Sequence, residues 1–412
     1  MNLKETRSMS RTSQRSRERG QMLVLMAGGL IAFLVMTALI VDGGNAWAQQ
    51  RQTQNGTDAA AQAGATVLAQ KLGNDPTTQG AAAAAWDAAT LAAVNNIASA
   101  NKNDPPVAYY TDICGVLLKR DGSKATAVGD AATVGDGFPT SVAMTPDCPN
   151  GIVGPVAGVE VHDSKVFRTW FAGAVGIENL TAGALATAVT GFVQSCQSSD
   201  EGCAVLPVNI PVWFSVCNGH DLAQNTVGIE WPMNETVVLP LCFNSPGNIG
   251  WIDFTPPAGG ADEVKDCILT PCNPAIPLPS WQYITQTGTD HSSPVETALN
   301  SWAGQVVLFP MFDHTCGDDQ PDQSLADDVD QSFGCAALDD AHGQNLWYRI
   351  PRFAAFKLQA AYTNGNNLSS CQNQSKQCLV GQFVHFIVSG TVGPGSGGGT
   401  TDTSTIGVQL IK

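Results

Sequence analysis

The chain has 412 residues, a net charge of −16 and only 14% charged side chains. So acidic a balance excludes a nucleic-acid grip, which needs a basic groove for phosphates. The 42 glycines and 23 prolines predict many turns, and the length allows two or three domains.

Residues 1–20 hold Lys4, Arg7, Arg11, Arg15, Arg17 and Arg19 against Glu5 and Glu18, a net +4, whereas the remaining 392 residues sum to −20. Directly behind this tail, Met22 to Val41 are 20 uncharged, mostly apolar residues. As a helix they span about 30 Å, the hydrocarbon thickness of a bilayer. The positive-inside rule places the tail in the cytoplasm and the acidic remainder outside. Ala46-Trp47-Ala48 imitates a signal-peptide cleavage site, but signal cores usually run about 7–15 residues. Asp42 would also fall inside the cleavage region, so a retained single-pass anchor is expected.

After the span, Asn45–Leu72 is rich in Ala and Gln and predicts a helix able to pack closely against another helix. Asp58, Ala59 and Ala63 are the candidate packing positions. Thr77 or Thr78 is expected to cap a second helix that ends near Ala100, before Asp104-Pro105-Pro106. Ile113–Lys119 and Val156–Val161 read as strands, Ser164–Gly176 as a short amphipathic helix, and Leu180–Val193 as a further strand.

All twelve cysteines lie beyond residue 110: Cys114, Cys148, Cys196, Cys203, Cys217, Cys242, Cys267, Cys272, Cys316, Cys335, Cys371 and Cys378. Their absence from the tail and the span suits disulfide formation in an oxidising compartment. Cys196/Cys203, Cys267/Cys272 and Cys371/Cys378 are close enough to close small loops, with overall connectivity open. Strand candidates from here on are Val205–Val216, Thr236–Phe243, Gly250–Phe254, Gln305–Phe312, Phe353–Tyr362, Leu379–Val388 and Thr405–Ile411. Ala261–Leu269 and Val295–Trp302 read as short helices, and 393–403 as a loop.

The chemistry is sparse. There is no G-x-S-x-G, H-E-x-x-H or Walker loop, and the six histidines share no helical spacing. No enzyme, cofactor or small-molecule substrate is inferred. The densest carboxylate run supplies calcium candidates in Asp318, Asp319, Asp322, Asp327 and Asp328, but lacks the EF-hand order of ligands. A solvated acidic loop between Cys316 and Cys335 is the plainer reading. Trp213, Trp231, Trp251, Trp281, Trp302 and Trp347 are expected in the core rather than in a ligand groove.

Residues 19–65, RGQMLVLMAGGLIAFLVMTALIVDGGNAWAQQRQTQNGTDAAAQAGA, resemble the N-terminal region of TadE/TadG-like proteins of the Flp (tight-adherence) pilus machinery. The shared features are Arg-Gly before the span, Asp-Gly after it, and an Ala- and Gln-rich helix carrying Asp58-Ala59-Ala60-Ala61. The stretch 158–190 resembles the family's strand, Phe-rich helix and Ala-alternating strand, and 247–254 and 304–313 are similar to the distal domain of larger members. Leu25 stands five residues after Gly20, where pilin-like precursors carry Glu. The D-x-S-x-S motif of a von Willebrand A-type metal site is broken at Pro294.

The expected fold is therefore α+β, in five parts. A basic tail (1–20) and a transmembrane helix (21–42) lead into an Ala-rich helical stalk (43–101). A small α+β domain (102–194) and a Cys-rich, disulfide-stapled, mainly β exported domain (195–412) follow. The resemblance implies a minor pilin-like structural or assembly component of a Flp pilus or related secretion apparatus, with the membrane and other pilus proteins as partners. A membrane-anchored surface adhesin outside any pilus, or less readily a tethered hydrolase, is the alternative.

Overall fold

The computed structural model describes residues 9–74, 81–140, 156–200, 202–218, 221–241, 251–252, 254, 260–284, 292–316, 335–337, 346–373, 376–393 and 405–411. Helix α1 (Met9–Asn74) is unbroken through tail, span and stalk, as a stretch without proline permits. Met22–Val41 lies exposed along it, long and apolar enough to cross a membrane. Within that span the Thr37 hydroxyl donates back to Phe33 O at 2.9 Å, so its polar group is satisfied locally. Helix α2 (Ala81–Ala100) follows; the capping threonines Thr77 and Thr78 lie outside the described residues.

The strands are β1 (Val107–Thr111), β2 (Gly158–Arg168), β3 (Asn179–Cys196), β4 (Ile210–Pro211), β5 (Trp213–Asn218), β6 (Asp221–Glu230) and β7 (Thr236–Leu241). Then come α3 (Ala261–Leu269), β8 (Ile276–Pro277), β9 (Ser280–Ile284), α4 (Ser293–Asn300), β10 (Val306–Phe312), β11 (His314–Cys316) and β12 (Cys335–Ala337). The last are β13 (Leu346–Ile350), β14 (Arg352–Tyr362), β15 (Gln377–Phe383), β16 (Ile387–Ser389), β17 (Thr391–Gly393) and β18 (Ile406–Leu410).

The first sheet runs β1-β2-β3-β18-β16, with β17 and β8 also pairing β3. Its spine is the β2–β3 hairpin, antiparallel from Gly158↔Val189 to Arg168↔Asn179. The stalk half of α1 lies on this sheet, and α2 packs beside it. The buried layer is mostly small: Ala60, Ala61, Ala65, Ala98, Ala186 and Ala188, with Leu68, Val94, Val159, Val161 and Tyr110 between them. Alanines bring backbones close while burying little area apiece, so shape rather than bulk holds this interface. The alanine-rich run thus finds its helix-packing surface within its own chain.

The remaining sheets form a larger core. One runs β4-β10-β14-β15-β7, one β12-β11-β13-β9, and one pairs β5 with β6. Trp231, Phe309, Phe312, Tyr348, Phe356 and Phe383 fill it together with Val264 and Ile268 of α3 and Val295 and Leu299 of α4. Such rings bury far more area each than the alanines of the first core. The two regions meet where Thr405 N–H donates to Phe353 O at 3.0 Å and Val193 N–H donates to Thr405 O at 3.1 Å. Val193, Cys196 and Cys203 pack there on Leu308 and Phe353.

Disulfides join Cys196–Cys203, Cys267–Cys272 and Cys371–Cys378. Cys114 and Cys316 are also disulfide-bonded, and Cys316 faces Cys335 in the β11–β12 register. Cys217 lies in β5; Cys148 and Cys242 are outside the described residues.

Two sequence expectations are corrected. Ile113–Lys119 is not a continuous strand: it opens on a turn, because Asp112 Oδ1 accepts the N–H groups of Cys114 (2.9 Å) and Val116 (2.8 Å) and Gly115 adopts φ 73°, and only isolated bridges at Leu117 and Leu118 follow. The strand lies earlier, at β1. Ser164–Gly176 is not a helix: β2 continues to Arg168, and only a 3₁₀ turn at Ala172–Val175 follows. The β3 ladder holds residues 164–168 extended, with Val166 and Phe167 in β2, while Trp170 and Phe171 fall on the hairpin tip.

Candidate functional site

The feature that organises the N-terminal half is the junction where α1 leaves its apolar span. Asp42, one residue past Val41, is 8% exposed. Its Oδ1 accepts the N–H of Trp170 at 2.7 Å and its Oδ2 those of Phe171 at 3.0 Å and Ala172 at 2.6 Å. These three groups open the 3₁₀ turn at the tip of the β2–β3 hairpin, where backbone donors have no internal partner and a carboxylate satisfies them best. One side chain thereby ties the start of the stalk to a loop about 130 residues away.

The next turns of α1 continue the clamp with amide side chains. Asn45 Nδ2 donates to Arg168 O at 3.4 Å, Gln50 Nε2 to Gly183 O at 2.5 Å, and Gln54 Nε2 to Leu185 O at 3.2 Å. The spacing is geometric. Four residues of helix advance about 6 Å and two residues of strand about 6.7 Å, so positions 50 and 54 stay in step with 183 and 185. On this edge the pairing of β18 ends where Ile411 N–H donates to Thr187 O at 2.9 Å, which leaves the hairpin's next outer carbonyls, at Leu185 and Gly183, to these glutamines. The helix thus covers an open sheet edge.

Deeper in, Asn103 Nδ2 donates to Thr53 O (3.2 Å) and to Asp163 Oδ2 (2.6 Å), linking α1, the end of α2 and β2 in one buried knot. Burial, seconded by the nearby Asp104, raises the Asp163 pKa above 3.8 against hydrogen bonds from Asn103, the Ser164 backbone and Thr57. Tyr110 Oη donates to Asp87 Oδ1 at 2.6 Å, and Gly135 N–H donates to the same oxygen at 2.8 Å. Burial, that hydrogen bond and the charge of Asp87 together drive the phenol pKa far upward. At Gly64 the helix meets α2 and β2: a Cβ there would stand 3.0 Å from Val94 Cγ2 and 3.1 Å from Val159 Cγ2.

The packing positions read from sequence sit at the margin of this contact. Asp58, Ala59 and Ala63 are half-buried, while Ala60, Ala61 and Ala65 are buried. Asp58 Oδ1 accepts from Gln54 Nε2 at 2.7 Å. The outward stripe of the stalk is polar, with Arg51, Asn55, Gln62 and Gln70 exposed.

The calcium candidates Asp318, Asp319, Asp322, Asp327 and Asp328 lie outside the described residues. Among the described residues no group of three or more His, Cys, Asp or Glu is placed to hold a metal. Trp231, Trp251 and Trp281 are core residues, and Trp231 Nε1 donates to Pro211 O at 2.9 Å. Glu160 lies 2.8 Å from His162 Nε2, but the Thr187 hydroxyl donates to Glu160 (2.9 Å), not to the imidazole, so no nucleophile is paired with a base there.

Sequence reasoning missed the roles of Asp42, Gln50 and Gln54. The available signal was an acidic residue directly after the long apolar run followed by amides four apart.

Residues 20–67 match the family model of Tad, the Flp pilus-assembly TadE/G-like proteins. The matched segment contains the span, Asp42, Gln50, Gln54 and Gly64, so it coincides with the part of α1 that carries the clamp. No curated protein and no solved structure matches the chain.

Proposed function

We propose that this chain is a minor pilin-like structural or assembly component of a Flp tight-adherence pilus or a related secretion apparatus. Met22–Val41 anchors it once in the membrane, the basic tail is cytoplasmic, and the acidic, disulfide-bonded remainder is extracytoplasmic. The observation that carries this reading is the single helix α1: apolar and exposed over Met22–Val41, clamped to a sheet beyond it. A rod built this way holds a folded domain at fixed distance and orientation from a bilayer or from neighbouring apolar helices. Disulfides support the oxidising side for that domain. The polar stripe of Arg51, Asn55 and Gln62 is the stalk surface left for other pilus proteins, with Asp58, Ala59 and Ala63 along its border.

The experiment is surface piliation in a strain lacking the chain, combined with photo-crosslinking from Asn55 and Gln62 in the full-length protein. Loss of pili and crosslinks to other pilus proteins are expected. Normal piliation with no such crosslinks would favour a free-standing adhesin. Protease added to intact protoplasts should remove the domain and leave a short membrane-protected fragment. A full-length product released into the medium, beginning near Gln49, would defeat the anchor.

A further inference from the structure

We propose that the tip of the β2–β3 hairpin is a second membrane contact, seated in the interfacial layer of the bilayer that Met22–Val41 crosses. The proposal rests on that anchored topology and adds a surface to it.

Height is the first argument. Asp42 immediately follows the apolar span and accepts three N–H groups of the tip at 2.6–3.0 Å. The tip backbone therefore lies level with the point where α1 emerges from hydrocarbon. Composition is the second. Thr169–Ile177 carries no charged side chain and is flanked by Arg168 and Glu178. Its large apolar groups face outward, with Trp170 76%, Ile177 50% and Phe171 44% exposed. An isolated tryptophan on a surface means little, but three large apolar residues on one uncharged loop form a patch that water disfavours. Trp is the residue most at home between headgroups and acyl chains, with an apolar body and one N–H donor.

Continuity is the third argument. The patch adjoins the exposed apolar surface of α1, and Trp47, exposed on the next turns of the same helix, lies under Arg51 with the guanidinium 4.9 Å from its ring centroid. An aromatic paired with a cation just beyond a span suits the headgroup zone. A bilayer that accepts the helix reaches the tip without any further partner. A rigid hairpin held by Asp42 would then fix the rotation and tilt of the domain about the helix, which one helix alone leaves free.

The test places a photoreactive benzoylphenylalanine at position 170 in the full-length chain in its native membrane, with mass analysis of the adducts. Position 33, within the span, reports on the anchor, and position 368, exposed on the larger core, is the background. Phospholipid adducts at 170 several-fold above those at 368 are expected. Lipid at 33 but not at 170 overturns the tip contact and leaves the anchor standing; lipid at neither overturns both. A protein adduct at 170, whether from a second copy or another subunit, also overturns it. A second measurement avoids the probe: in nanodiscs containing lipids brominated near the headgroup, Trp170→Ser should lose a share of the tryptophan quenching that Trp213→Ser retains. Equal quenching in both variants would refute the proposal.

Discussion

Gly64→Ala tests whether the stalk is a closely fitted part of the fold or a free rod. In an exposed helix interior, replacing Gly by Ala gains about 1 kcal/mol. At Gly64 the new methyl would meet Val94 Cγ2 at 3.0 Å, Val159 Cγ2 at 3.1 Å and Val159 Cβ at 3.3 Å. Both valines are buried, and β-branched side chains have little rotamer freedom with which to withdraw. Overpacking of this kind costs about 1–3 kcal/mol, so the net effect is a loss of up to about 2 kcal/mol. Gly44→Ala is the internal control, since nothing lies within 4 Å of its Cβ position; it should hold or slightly raise stability. The assay is urea unfolding of the detergent-solubilised full chain followed by tryptophan fluorescence. Val159→Ala should cost less in the Gly64→Ala background than in the wild type, by the coupling of about 0.5–3 kcal/mol expected of touching residues. Equal gains from both glycine variants, or an additive double mutant, would refute a tight stalk–sheet contact.

Asp42→Ala should speed amide exchange at Trp170, Phe171 and Ala172 several-fold with little change in the larger core, and unchanged exchange would remove the clamp. The Asp163 pKa lies above its ordinary 3.8, so the folded chain binds that proton more tightly than the unfolded one, and stability falls as pH rises from 3.8 through the folded value. The melting-temperature difference between Asp163→Asn and wild type should therefore grow with pH over that window and then level off; a flat or shrinking difference contradicts it. The Cys371–Cys378 bridge closes a span of seven residues, so replacing both by Ser should cost about 2.4 kcal/mol by loop-closure entropy, read as an earlier urea midpoint. Leucine at Ala61, which is buried against the sheet, should destabilise the fold, while leucine at half-buried Ala59 should spare folding and impair crosslinking to pilus proteins.

What the sequence revealed and what it hid follow from how local each signal is. The span, both stalk helices, α3 and α4 are legible because periodicity and punctuation act within one element; α3 falls on Ala261–Leu269 as the pattern suggests. Strands such as β10 and β14 are legible from apolar β-branched and aromatic runs. The segment 164–176 was misread because Val166, Phe167, Trp170 and Phe171 imitate a helical face. What decides the matter is the partner strand 179–189 and a carboxylate at position 42, both distant in sequence. Likewise the alanine run announces close packing, but one sequence cannot show that its partner is a sheet in the same chain. Asp42 carries no motif of its own, and only the fold supplies its three donors.

β18 has a consequence for biogenesis. It enters the first sheet between β3 and β16, and Thr190 Oγ1 donates to Gly407 O across 217 positions. During synthesis, α1, β2 and β3 emerge long before that strand, and contacts so distant in sequence form slowly. Through that interval the inner edge of β3 has unpaired backbone groups of the kind that recruit foreign strands. A chain stalled before residue 406 would therefore be partly folded and adhesive.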